Sequence, residues 1–257
     1  MANQLRASLY LLGRNVYPVI AALLVILQEA CIVWAGANGA VYGGQDSLIA
    51  NYALPFICCF VAVGVAVEDD AAHGLRASVC ARDGRARYAA SRAVTVAVST
   101  VVVIALALAL DLVPAAVGHP ELSLAVSAPK MHTLERLLAQ YLSVLAFAEL
   151  VLLVAWASRK RGVALLVAFV VGIPRLALSL LLIPVALLPA PAVGWSADVA
   201  GLLGAISDLL PVAALTSAVS SRGGIQPVSL VGGFVVPLVW LVGLFVLGRA
   251  LMARRTV

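Results

Sequence analysis

Charge is scarce in this chain. Asp, Glu, Lys and Arg make up 11 % of its 257 residues, apolar residues make up 63 %, and the mean hydropathy is +1.09. A soluble domain carries about a quarter charged residues and under half apolar ones, so the composition excludes a water-soluble globular domain and predicts an integral membrane protein. Histidine is nearly missing, with only His73, His119 and His132, far apart. The four cysteines show no C-x-x-C spacing. Cys31, Cys58 and Cys59 lie in apolar runs, where a thiol acts as a small hydrophobe, and Cys80 lies in a charged loop. Neither a disulfide framework nor metal or redox chemistry is expected of them. The motifs G-x-x-x-x-G-K-[ST], H-E-x-x-H and G-x-S-x-G are all missing. That leaves the chain without a P-loop for nucleotide phosphates, a zinc-peptidase helix or a nucleophile elbow. The pairs Gly43–Gly44, Gly223–Gly224 and Gly232–Gly233 read as turns or close helix contacts, not phosphate loops. The net charge of +5 is no nucleic-acid footprint, because the Lys and Arg flank apolar runs and form no patch or stripe.

What is abundant is apolar sequence in long runs. A bilayer-crossing helix needs about 20 mostly apolar residues. Six segments meet this, at about 16–36, 47–67, 93–113, 137–157, 163–187 and 228–248. They predict an all-α integral membrane protein with a single transmembrane domain over 1–257, since no stretch outside the spans is long enough to bury its own core. Residues 3–14 precede the first span and place Leu5, Leu9, Leu11 and Leu12 apart from Arg6 and Arg14, as in a helix lying on the membrane surface. The first span is too long, and lacks the small-residue motif, for a cleaved signal.

Lys and Arg set the orientation. One set of loops holds thirteen of the 17 basic residues, the opposite set holds Lys130, Arg136 and Arg222, and Arg175 falls within a span. Both termini are therefore expected in the cytoplasm of a multi-pass cell-membrane (inner or plasma membrane) protein, together with the loop from Glu68 to Arg92. The last outer loop, 189–227, contains an apolar stretch broken by Asp208 and Pro211. A seventh crossing there would put the C-terminal arginines outside, so short re-entrant helices between spans five and six are expected instead.

Three charges lie inside spans, where they are costly and informative. Glu29, beside Gln28, is about 20 Å from the cytoplasmic end of its span, Glu149 about 12 Å and Arg175 about 18 Å. These depths let Arg175 reach either carboxylate. The three residues suit a structural ion pair, a polar substrate path or a proton relay. Pro174 would bend the helix beside Arg175.

The loop from Glu68 to Arg92 concentrates the remaining charge. Glu68, Asp69 and Asp70 suit a helix N-terminus. Leu75 and Val79 share a helix face with Ala72, Arg76 and Arg82 lie off it, and Asp83–Gly84 signals a turn. A short cytoplasmic helix held below the membrane follows. The acidic Glu68, then Gly74 and Leu75, then the run Arg87-Tyr88-Ala89-Ala90-Ser91-Arg92 resemble the loop between spans two and three of ABC-2 type (type V) ABC transporter permeases. In that family a common Pro precedes span three; Asp83–Gly84 stands in that region here. The resemblance implies an interfacial helix, six spans, a coupling helix between spans two and three, and re-entrant helices before span six. It further implies a separate ABC ATPase subunit that carries ATP and Mg, a second permease (a copy or a related chain), and outward movement of an amphiphilic drug, peptide or lipid, as in drug and lantibiotic exporters. On this reading Glu68, Asp69, Asp70, Gly74, Leu75, Arg76, Val79 and Arg82 meet the ATPase. The chain itself would be no enzyme and bind no cofactor, and its contacts would be with membrane lipid and protein rather than nucleic acid. An ion-coupled carrier or channel using Glu29, Glu149 and Arg175 is the alternative.

Overall fold

A computed structural model describes residues 2–38, 53–71, 84–119, 133–172 and 231–254. Among these residues every regular element is helical. In chain order they are α1 (Ala2–Arg14), α2 (Val16–Ala37), α3 (Leu54–Ala71), α4 (Gly84–Asp111), the single turn α5 (Val113–Ala116), α6 (Thr133–Ser158), α7 (Arg161–Gly172), a π-helical segment at Val231–Val235, and α8 (Val236–Arg254). Four stretches are long and apolar enough to cross a bilayer: Val16–Trp34, Ala86–Ala116, Leu137–Ser158 and Gly233–Ala253. Two shorter apolar helices, Leu54–Ala66 and Arg161–Gly172, pack among them.

Local chemistry explains the helix starts. Asn15 breaks the chain between α1 and α2, and its side-chain oxygen accepts the Tyr17 N–H at 3.3 Å, satisfying a donor that the first turn leaves open. Pro18 and Pro55 fall in first turns, where a missing N–H costs little, whereas Pro237 lies inside the continuous helical run from Val231 to Arg254. Pro237 explains the π turn before it: its ring crowds the carbonyl one turn earlier, and the Gly232–Gly233 pair lets that turn widen.

The helices alternate in direction. Asn15 Nδ2 donates to the Gly64 carbonyl at 3.5 Å, so the start of α2 meets the later part of α3. Arg161 Nε donates to the Tyr17 hydroxyl at 2.5 Å and its guanidinium lies 5.1 Å from the Tyr17 ring, so α7 begins beside the start of α2. At the other end of α7, Gly172 lies against Phe56, near the start of α3. Gly248 of α8 packs on Trp156 and Leu153 of α6, so these two helices run parallel at their C-terminal ends. Arg14, Arg159, Lys160, Arg161 and Arg249 thus gather at one end of the bundle, all exposed.

The core is built from small and β-branched side chains. Val25, Val63, Val65, Val96, Val144, Val151, Ala148, Ala164 and Ala168 are fully buried. Such residues let helix backbones approach closely, the main source of cohesion when lipid competes for every apolar surface. Helix α3 is the most enclosed, buried almost all round from Leu54 to Ala66, while α4 packs on α1, α2, α3, α6 and α8 and keeps an exposed face at Val94, Val98, Val101 and Val102. Outward faces stay apolar, for example Val19, Leu23 and Leu27 on α2 and Leu238, Val242 and Val246 on α8.

Three expectations shift. Helix α3 runs unbroken through Glu68, Asp69 and Asp70 to Ala71, so these acids end the second apolar helix where the sequence suggested that they open a new one. Nothing from Val67 to Ala71 breaks a helix; the first glycine beyond is Gly74. Helix α4 begins at Gly84, nine residues before the expected span, so the basic run Arg85–Arg92 is helical. At 28 residues α4 is about 42 Å long against a hydrocarbon core of about 30 Å, and the excess carries those arginines out of the apolar layer. In α1 the inward residues are Leu5, Ser8 and Leu12, while Leu9 is exposed. The expected re-entrant helices, the helix over 72–82 and the far half of the fifth span lie outside the described residues.

Candidate functional site

The polar residues of the bundle fall into two groups. The first joins α2 to α4. Glu29 is 9 % exposed and Asp111 is 7 % exposed, and the two carboxyls lie within electrostatic reach of each other. Gln28 Nε2 donates to Glu29 Oε1 at 3.4 Å, while Gln28 Oε1 is buried with no hydrogen-bond partner. Asp111 was no sequence candidate. It ends an apolar run, where a charge is ordinary, and only the packing of α2 on α4 brings it to Glu29.

The second group lies between α3 and α6. Glu149 is half-buried two turns beyond Tyr141, and Tyr141 lies within electrostatic reach of both Glu149 and Cys58. Cys58 and Cys59 are free thiols in the core, as expected of small hydrophobes, whereas Cys31 faces outward. Arg175, the expected partner of Glu29 or Glu149, lies outside the described residues.

Helix α4 also carries a polar column, in the part away from Asp111. Ser91, Thr95 and Ser99 are buried and return their hydroxyls to the helix backbone, at the carbonyls of Tyr88, Ser91 and Val96 (2.8, 2.8 and 2.9 Å). Arg92, buried beside them, stacks 5.4 Å from the Tyr88 ring. Thr100 and Gln140 are each 1 % exposed, and Thr100 Oγ1 and Gln140 Nε2 have no hydrogen-bond partner. Unsatisfied polar atoms in an apolar bundle cost about 1–3 kcal/mol each and call for an explanation. The sequence pattern does contain this column, at the i, i+4, i+8 spacing of Ser91, Thr95 and Ser99, but single hydroxyls inside an apolar run give no charge signal to find it by.

Of the residues expected to meet an ATPase, Glu68, Asp69 and Asp70 form the last turn of α3. Gly74, Leu75, Arg76, Val79 and Arg82 lie outside the described residues. Among the described residues no group of His, Cys, Asp and Glu comes together as a metal site.

Among the described residues these are the features of an all-helical protein with four helices long and apolar enough to cross a membrane, a polar column on α4 and a pair of carboxyls between α2 and α4. No protein-family model matches the chain, and no curated protein matches it.

Proposed function

We propose that this chain is the membrane-spanning permease subunit of an ABC-2 type exporter, moving an amphiphilic substrate outward with energy from a separate ATPase subunit. The observation that carries this reading is the arrangement of α1 and the six apolar helices. The helices alternate in direction, and the surface-type helix α1 packs on α4. The absence of any P-loop in the sequence fits a partner that supplies ATP hydrolysis. The acids closing α3 and the basic start of α4 bracket the loop that would dock on that partner. Buried polar side chains on α4 and α6, Thr100 and Gln140 among them, are groups that a substrate with one polar end could meet.

The test is to identify a P-loop ATPase in a neighbouring reading frame, co-express it with the chain and pull down the complex. Arg76→Glu, Arg82→Glu or Gly74→Pro is expected to lose the ATPase while membrane insertion is unchanged. Complex formation and transport unchanged in all three would remove the coupling role.

One observation favours a second reading, an ion-coupled carrier. Two carboxyls on neighbouring helices, Glu29 and Asp111, are placed so that a shared proton or a cation relieves their repulsion. Transport driven by a proton gradient without ATP, and lost in Glu29→Gln, is the outcome that distinguishes it.

A further inference from the structure

At the basic end of the bundle, α6 and α8 together line an open cavity of about 530 Å³. Leu153 and Trp156 wall it on one side, Leu247, Ala250 and Leu251 on the other, and Arg159 stands at its rim. The two helices touch at the Gly248–Trp156 contact, where an added Cβ would sit 3.1 Å from the indole ring; this close approach forms the floor. The groove opens outward, since Leu247 is 57 % exposed and Ala250 is exposed. Its length along α6, from Leu153 to Arg159, is about 9 Å, roughly a third of the hydrocarbon thickness.

Arg159 is held there by the backbone. It follows the last residue of α6 with φ 55°, the only non-glycine positive φ among the described residues. Its N–H donates to the Ala155 carbonyl at 3.1 Å, the bond that closes a left-handed helix cap, a place usually given to glycine. Its guanidinium has no ion pair among the described residues, and Lys160 beside it is exposed.

We infer that this groove seats an anionic glycerophospholipid of the leaflet at the basic end, with an acyl chain on the Leu153–Trp156–Leu251 wall and the phosphate at Arg159. The wall is apolar and opens away from the bundle and the rim is cationic, the pair of chemistries that the tail and head of an anionic lipid match. A second copy of this chain suits the groove less well. A two-fold interface centred on it would bring one Arg159 towards the other, like charge to like charge.

The test uses the full chain in detergent micelles, exposed to equal amounts of dioleoyl phosphatidylglycerol and dioleoyl phosphatidylcholine. Retained lipid is read by native mass spectrometry. The wild type is expected to prefer phosphatidylglycerol by about fivefold, the contribution of one well-placed cation. Arg159→Gly, which suits the left-handed backbone and so keeps the fold, is expected to bring the preference to parity, and Arg159→Lys to retain it. Ala250→Trp, which fills the groove, is expected to lower retention of both lipids. Arg249→Ala, a charge one residue from the groove's lining, is expected to leave the preference unchanged. An unchanged preference in Arg159→Gly overturns the assignment. So does an equal loss in Arg249→Ala, which would mean diffuse surface charge. A change in oligomer mass in Ala250→Trp with lipid retention intact overturns it in favour of a protein–protein seat.

Discussion

Arg159 and the Glu29–Asp111 pair show how a single residue in this bundle carries a cost that packing alone does not require. A left-handed conformation costs an L-residue about 1–2 kcal/mol that glycine avoids. Arg159→Gly should therefore raise the chain's stability by about 1 kcal/mol, read as a higher midpoint of thermal unfolding in detergent; a lower midpoint would mean that the side chain holds the α6–α7 corner. For the carboxyls the informative measurement is a double-mutant cycle. Glu29→Gln and Asp111→Asn should couple by about 1 kcal/mol in the sense of relieved repulsion, the second change adding less than the first. Strict additivity would show that the two groups do not sense each other. Glu29 is legible in the sequence because a charge in mid-run is anomalous. Asp111 is not, because its significance comes from the lateral packing of α2 on α4, which no local pattern encodes.

At the scale of elements, close approach decides which helices pair. A Cβ on Gly172 would meet the Phe56 backbone at 2.5 Å, whereas one on Gly162, ten residues earlier in the same helix, would meet nothing within 4 Å. Gly172→Ala should accordingly destabilise the protein by about 1–3 kcal/mol by forcing α7 off α3. Gly162→Ala should be neutral or stabilising by up to about 1 kcal/mol through helix propensity. Equal unfolding midpoints for the two variants would place the α3–α7 contact elsewhere. The existence of the helices was legible, because hydropathy over about 20 residues reports the bilayer directly. Their ends were less so. Helix α4 starts nine residues early and α3 continues through three acids, since hydropathy marks where the lipid stops and helical hydrogen bonding does not stop there. Small residues such as Gly64 and Gly172 gave no sign of their role, because a glycine in an apolar run looks the same whether it faces lipid or a neighbour.

Across the whole molecule, charge and helix direction agree. Among the described residues, Arg14, Arg159, Lys160, Arg161 and Arg249 gather at the end of the bundle where α2 and α7 begin and where α6 and α8 finish, while Glu29 and Asp111 lie towards the opposite end. In a cysteine-free background, cysteines introduced at Arg14 and Arg249 should be labelled by an impermeant maleimide only from the cytoplasmic side, and one at His119 only from outside; labelling of all three from one side would break the topology. On the exporter reading proposed above, the energy for moving a substrate through this bundle comes from a partner chain. That partner is proposed to be a separate ATPase. The most direct test is reconstitution of the purified chain in proteoliposomes with and without a P-loop ATPase found in a neighbouring reading frame. The ATPase should bind the chain and amphiphile export should require ATP. Transport by the chain alone under a proton gradient, with no ATPase bound, would contradict it.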